Sequence, residues 1–152
     1  MNYIIRKAEV KDAKEKNNLL TLLIQDEKKY DSNINESCVV KRLYEDLIPN
    51  ESNIVLISIV DNKIVGYLFG YIENTGDTYK EGISKLEALY ILEDYRHNGI
   101  ATSLIKEFKE WSLNNNIKHM EVQVLNSNLD AVKFYNKEGF KNFKSTLLNV
   151  IK

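Results

Sequence analysis

The sequence predicts one α+β domain of the mixed α/β kind, a mostly antiparallel central sheet flanked by helices in the order β-α-α-β-β-β-α-β-α-β. Three observations carry that prediction. Residues 54 to 73 hold two runs rich in Ile, Val and Tyr, separated by Asp61-Asn62, which reads as an antiparallel hairpin. In the segment 100 to 115, Leu104, Phe108 and Trp111 recur at four and three residues, so one face of a helix is apolar and faces a sheet. Finally, 152 residues at 43% hydrophobic content suffice to bury one core and are too few for two.

Each element follows in chain order. YIIRKA at 3 to 8 is a short strand, and Asp12 precedes a polar stretch leading into LLTLLI at 19 to 24, as a capped helix would. Val40, Leu43, Tyr44 and Leu47 stand at i, i+3, i+4, i+7 behind a cap at Ser37, predicting a second helix that the single proline, Pro49, closes. The hairpin comes next, then a polar loop at 74 to 83 with two glycines, then a third long strand in LEALYIL at 86 to 92. After the helix at 100 to 115, HMEVQVL at 119 to 125 alternates as a strand. AVKFYNKE at 131 to 138 is helical, with Gly139 placed just past its end, and Phe140 to Val150 is expected to form a last strand.

Composition removes several function classes. With 21 Lys+Arg against 22 Asp+Glu, the formal charge of -1 argues against a general binder of nucleic acid or anionic membrane. Cys38 is the single cysteine, so no intramolecular disulfide exists. With His97 and His119 as the only histidines, a Cys/His metal site or a His-based triad has almost no material, and no metal is expected. No apolar run approaches the ~20 residues that span a bilayer, and the charged start, Met1 to Lys11, reads as that of a cytoplasmic protein. The expected partner is a small molecule, and a homodimer is compatible with the sequence.

The stretch Tyr95-Arg96-His97-Asn98-Gly99-Ile100-Ala101-Thr102 joins a strand end to a helix start. Free N–H groups in a helix's first turn, with the positive end of its dipole, bind an anion, and Gly99 lets a ligand approach the backbone. A plain strand-to-helix turn would use the same residues. One strand later comes Asn128-x-x-Ala131-x-x-Phe134-Tyr135-x-x-x-Gly139-Phe140, and the two patterns together are much rarer than either alone.

On these residues the chain resembles the GNAT superfamily of acetyl-CoA-dependent N-acetyltransferases, whose motif A reads Q/R-x-x-G-x-G/A and whose next motif reads N-x-x-A-x-x-F-Y-x-x-x-G-F. The resemblance covers nearly the whole chain, with its specific signal in 86 to 140. It departs at Glu93, where many members carry a proline. The resemblance implies a GNAT-like acyl-CoA N-acyltransferase fold in which the pyrophosphate of acetyl-CoA lies over Arg96, His97, Asn98, Gly99, Ile100, Ala101 and Thr102. It further implies that the pantetheine arm pairs with the backbone of the strand around Leu89, Tyr90 and Ile91, which splays from the next strand to open a cleft. Asn128, Ala131, Phe134 and Tyr135 complete the cofactor side.

Chemistry then assigns candidate roles. Aminolysis of a thioester expels a thiolate, and Tyr135 is the candidate general acid whose phenol protonates it, a role preferred here to that of a packing aromatic on the last helix. The acceptor ammonium must lose a proton before it attacks, and Glu87 is the candidate base, with Glu73 in reserve. Strand parity alone does not decide whether Glu87 faces the cleft or solvent. Glu73, Asp77, Tyr79 and Tyr30 are candidate acceptor-binding residues. The carboxylates Asp26, Glu27, Asp31, Glu36 and Glu81 add to a field that favours a cationic amine such as a polyamine or aminoglycoside. No cysteine is placed to carry a covalent intermediate, so direct attack in a ternary complex is expected. The alternatives are a protein or peptide N-acetyltransferase and a non-catalytic CoA-binding sensor, which would need neither Tyr135 nor a base.

Overall fold

A computed structural model describes all 152 residues. The strands are β1 (Ile4–Lys7), β2 (Asn53–Val60), β3 (Lys63–Ile72), β4 (Ile83–Ile91) and β5 (His119–Val122). The helices are α1 (Ala13–Glu27), α2 (Tyr44–Leu47), α3 (Ile100–Asn114) and α4 (Leu129–Lys137). One sheet runs β1-β2-β3-β4-β5, antiparallel throughout except for the parallel pair β4-β5. Positive φ at Asp61 and Asn62 closes the β2-β3 hairpin, as short polar residues able to enter the left-handed region allow.

Strand alternation sends two sets of side chains to opposite faces. Leu56, Leu68, Leu86 and Ile91 pack under Leu104 and Phe108 of α3, with Phe134, Tyr135 and Phe140 from the α4 region against the same core. Val55, Ile57, Tyr67, Ala88 and Tyr90 pack on the other face against Ala13 and Leu19 of α1 and Tyr44 of α2. There Tyr44 donates to the Tyr67 hydroxyl at 3.0 Å, and burial raises the pKa of both phenols. Asp12 ties β1 to α1 by accepting both Arg6 terminal nitrogens, at 2.8 and 3.1 Å.

Two expected elements differ. The second helix shrinks to Tyr44–Leu47, because the preceding amides are held by α1 and not by helical carbonyls. Asn17 Oδ1 accepts from the Leu43 and Tyr44 N–H groups, and Thr21 Oγ1 accepts from Val40 N–H. Ser37 therefore caps nothing. The last strand does not form: residues 140 to 152 have no regular structure, and beyond Phe140 no backbone hydrogen bond is made. The strand expected at 86 to 92 begins three residues earlier, and β5 ends at Val122, before the expected 125.

Lys16, on α1, is fully buried, and its Nζ has no hydrogen-bond partner. Burial lowers its pKa to about 8, against the opposing pull of Asp12 and Glu15. An unfolded chain keeps this proton to about 10.4, so the charged Lys16 destabilises the fold below pH 8, and that penalty fades as pH rises from there towards 10.4. Lys16→Met is expected to raise stability near neutral pH by on the order of 1–3 kcal/mol. The gain should shrink at alkaline pH. Urea unfolding across that range checks it, and a constant or absent gain would show that burial of the ammonium costs nothing.

Candidate active site

The site begins where the sheet parts. The β4-β5 register ends at Leu86↔Val122, yet β4 continues to Ile91, so from Glu87 onward one edge of β4 has no strand beside it. Leu89 and Ile91 lie on this open stretch. The Ile91 carbonyl is taken by Arg96 Nε at 2.8 Å.

A bulge decides the orientation that parity left open. Phe69 pairs with Ala88 and Gly70 with Leu86, so Glu87 is an extra residue in β4. Such a residue breaks the alternation and re-aims its side chain. Glu87 and Ala88 consequently face the same way, and both line a cavity of about 290 Å³ between α1, α2 and the sheet. Leu20, Leu23, Ile24, Leu43, Tyr44 and Phe69 supply its mostly apolar wall, and Glu27 is its second carboxylate. Burial, and secondarily Asp31, raises the pKa of Glu27.

Beyond the end of β4 lies the loop into α3. Residues Glu93–Tyr95 form a short 3-10 turn, His97 and Gly99 have positive φ, and α3 starts at Ile100. The backbone N–H groups of residues 97 to 102 make no hydrogen bond within the chain. That is the donor set an anion at a helix N-terminus needs. At φ 83° Gly99 suits a residue without Cβ, and a Cβ there would meet only the Tyr3 hydroxyl, at 3.7 Å, leaving the approach open. Asn98 Nδ2 braces the loop by donating to the Tyr95 and Arg96 carbonyls, and the Thr102 hydroxyl donates to Glu138. Arg96 turns away from the amides. Its guanidinium lies over the Tyr90 ring, 5.3 Å from the centroid, and 3.3 Å from Asp26 at the end of α1.

On the far side of the gap, Asn128 Oδ1 accepts from Ala131 N–H and caps α4, which presents Phe134 and Tyr135. Tyr135 is wedged edge-on between Phe134 and Phe140, with ring centroids 5.2 and 5.6 Å away. Burial first, and the Glu27 carboxylate second, raise its pKa, so the phenol stays protonated. Ser127 Oγ donates to the Tyr30 carbonyl at 3.3 Å, drawing the end of the α1 region to the start of α4.

Not every expected site residue joins this cluster. Glu73 is 3.5 Å from Lys85, which also binds Glu121, so its charge is already matched at the other end of β4. Asp77 and Tyr79 are exposed on the 74 to 82 loop, and Glu81 pairs with Lys118. No cluster of three or more His, Cys, Asp or Glu side chains is placed to hold a metal ion, and no helix is long and apolar enough to cross a membrane.

The sequence matches the acetyltransferase (GNAT) family model over residues 20–140. This chain belongs to the GNAT family. The GNAT relatives it matches include the N-alpha-acetyltransferase of Saccharolobus solfataricus, 33% identical over 58% of this chain and 56% of that protein. A second is the uncharacterized N-acetyltransferase YobR of Bacillus subtilis, 37% identical over 40% of this chain and 24% of that protein. The aligned part thus spans about half, or less, of these relatives' length. Among solved structures, a variant of the BH1408 protein of Bacillus halodurans superposes with a TM-score of 0.87 at 21% identity, covering 98% of this chain and 99% of that one. The aminoglycoside acetyltransferase AAC(6')-Iy in complex with CoA superposes with a TM-score of 0.75 at 16% identity, over 98% and 99% of the chains. These neighbours share the GNAT fold, with its mixed sheet and flanking helices.

Two features of this GNAT site had little or no sequence signal. Glu27 was one carboxylate among many on the first helix, and only the packing of α1 over the bulge singles it out. The tie from Arg96 to Asp26 spans 70 residues, and no local pattern announces it.

Proposed function

We propose that the protein transfers the acetyl group of acetyl-CoA to the primary amine of a small cationic molecule, by direct attack in a ternary complex. The observation that carries this reading is the gap after Leu86, which separates a cradle of free amides at 97 to 102 from a cavity holding Glu27 and Glu87. The amides and the α3 dipole receive the pyrophosphate, and the open edge at Leu89 to Ile91 receives the peptide-like arm. Asn128, Ala131 and Phe134 shape the facing wall. Arg96 holds the loop to α1, so in this arrangement the backbone supplies most of the anion binding.

Glu87 takes a proton from the acceptor ammonium, directly or through water, and the freed amine attacks the thioester carbonyl. As the C–S bond breaks, Tyr135 gives its proton to the departing thiolate. Both catalytic residues suit these tasks, one as an accessible carboxylate and the other as a phenol kept neutral by burial.

The cavity lining supports a refinement of the acceptor. Its carboxylates match an ammonium while its leucines, Ile24 and Phe69 match methylene groups, which favours an aliphatic polyamine over a bulkier, hydroxyl-rich aminoglycoside. Tyr30, tied through its carbonyl to Ser127 just before α4, and the 74 to 82 loop with Asp77 and Tyr79 would receive distal parts of a longer substrate. A second reading, acetylation of a peptide N-terminus with an apolar first residue, is favoured by the N-alpha-acetyltransferase relative. A screen of polyamines, aminoglycosides, amino acids and peptides, followed by free thiol release, separates the readings. Polyamine turnover is expected; activity on peptide N-termini alone would select the second reading, and CoA binding with no turnover would indicate a sensor.

Gly99→Val is expected to weaken CoA binding by about 10-fold or more, since a branched side chain both strains a positive-φ position and fills the approach to the amides. Calorimetry on the folded variant checks this. Unchanged affinity would remove the cofactor assignment to this loop. Arg96→Ala should cost less, because the helix-start donors remain.

A further inference from the structure

The sequence of α1 does not favour its own C-terminal end. The helix closes on two acids, Asp26 and Glu27, and its last turn holds no basic residue, whereas the negative end of a helix dipole favours a cation there. The missing cation comes from the loop before α3, 70 residues away, where Arg96 Nη2 lies 3.3 Å from Asp26 Oδ2. A half-exposed ion pair adds little stability by itself. This one is fixed on two further sides: Arg96 Nε donates to the Ile91 carbonyl at 2.8 Å, and the guanidinium lies over the ring of Tyr90, which is buried in the sheet face that α1 covers. A planar guanidinium so held defines where the end of α1 sits. Across the gap, Ser127 Oγ donates to the Tyr30 carbonyl just past the helix end. The last turn is therefore gripped from both walls of the gap, and between the grips stands Glu27, which shares the cavity with Glu87.

We propose that Asp26 is a positioning residue for the acceptor: by holding Arg96 it fixes the last turn of α1 against the loop before α3, and so keeps Glu27 in place to receive an ammonium. This rests on the reading of the cavity as the acceptor site. Asp26 does not line the cavity, so it acts through Glu27 and not by touching the amine. A carboxylate fixed beforehand needs no ordering when the amine binds, and the gain is in affinity. Without the tie, Leu19, Leu20 and Leu23 still pack α1 on the sheet, so the cavity survives while Glu27 loses its fixed place.

Kinetics of Asp26→Asn, Arg96→Ala and the double variant with spermidine as acceptor test this. The sign of the Arg96 effect is decisive. If the two side chains acted only through their field, removing a positive charge near the cavity would lower KM for a cation, whereas loss of the tie raises it. Each single variant is expected to raise KM about 5-fold with kcat changed by less than about two-fold, and the double variant should go no further, because both break one contact. Asp26→Glu, which can still reach Arg96, should stay near wild type. Amide hydrogen exchange needs no acceptor: residues 24 to 30 should exchange faster in both single variants while the earlier turns of α1 and the melting temperature stay as they are. A KM for Arg96→Ala at or below wild type, additive effects, or unchanged exchange at 24 to 30 would each overturn the proposal. If the wild-type protein leaves spermidine unacetylated, the acceptor reading is what fails, and the exchange rates together with the same KM comparison on the amine that does react decide the role of Asp26.

Discussion

Tyr135→Phe is expected to lower kcat by 10²- to 10⁴-fold while CoA affinity and the fold stay as they are. The range is about that of a positioned general acid. The ring keeps its edge contacts with Phe134 and Phe140, so only the hydroxyl proton is lost. Burial and the nearby Glu27 carboxylate hold the phenol above its ordinary pKa, so wild-type activity should not fall through Tyr135 ionisation anywhere below about pH 10. Steady-state kinetics with a polyamine acceptor, beside calorimetry with CoA, separate the two effects. Turnover at the wild-type level in Tyr135→Phe would leave Tyr135 as a packing residue and force another source for the thiolate's proton. A raised KM with unchanged kcat would mean it contributes only to binding.

The second large effect is expected at the bulge. Glu87→Gln preserves size and shape but cannot accept a proton, and kcat/KM should drop by about 10²-fold near neutral pH. At that pH an aliphatic amine with an ordinary pKa near ~10 is almost wholly protonated, so the base matters most. As pH rises towards the amine's own pKa the loss should shrink, because more acceptor arrives as free amine. A loss that is the same from acid to alkaline pH would instead assign Glu87 to holding the ammonium or the bulge. Glu27→Gln offers the contrast: its partner role in the cavity predicts mainly a raised KM for cationic acceptors, with the pH profile of kcat unmoved.

Most of the scaffold was legible from local pattern. The hairpin rested on Asp61-Asn62 between two β-branched runs, and α3 on Leu104, Phe108 and Trp111, because period and turn chemistry act within a few residues. The second helix was overestimated for a reason that local pattern cannot contain: its upstream amides found Asn17 and Thr21, more than fifteen residues away in sequence. The strand expected from Phe140 to Val150 is rich in apolar residues, but a strand exists only where its backbone pairs with another, and beyond Phe140 this segment makes no backbone hydrogen bond.

Arg96, Gly99 and Ala101, with the spaced set from Asn128 to Phe140, are enough to identify the family and the helix start whose amides stay free. Those features are local, since a turn with Gly99 at positive φ and an Asn128 cap depend on neighbours a few positions apart. Where Glu87 points, that Glu27 joins it, and that Arg96 engages Asp26 and Tyr90 while Glu73 pairs with Lys85, all follow from three-dimensional packing. Each of these depends on which strand lies beside which and where the register slips by one residue. Alternation in one strand carries no information about its neighbour's register, and a single extra residue reverses every inference drawn from it.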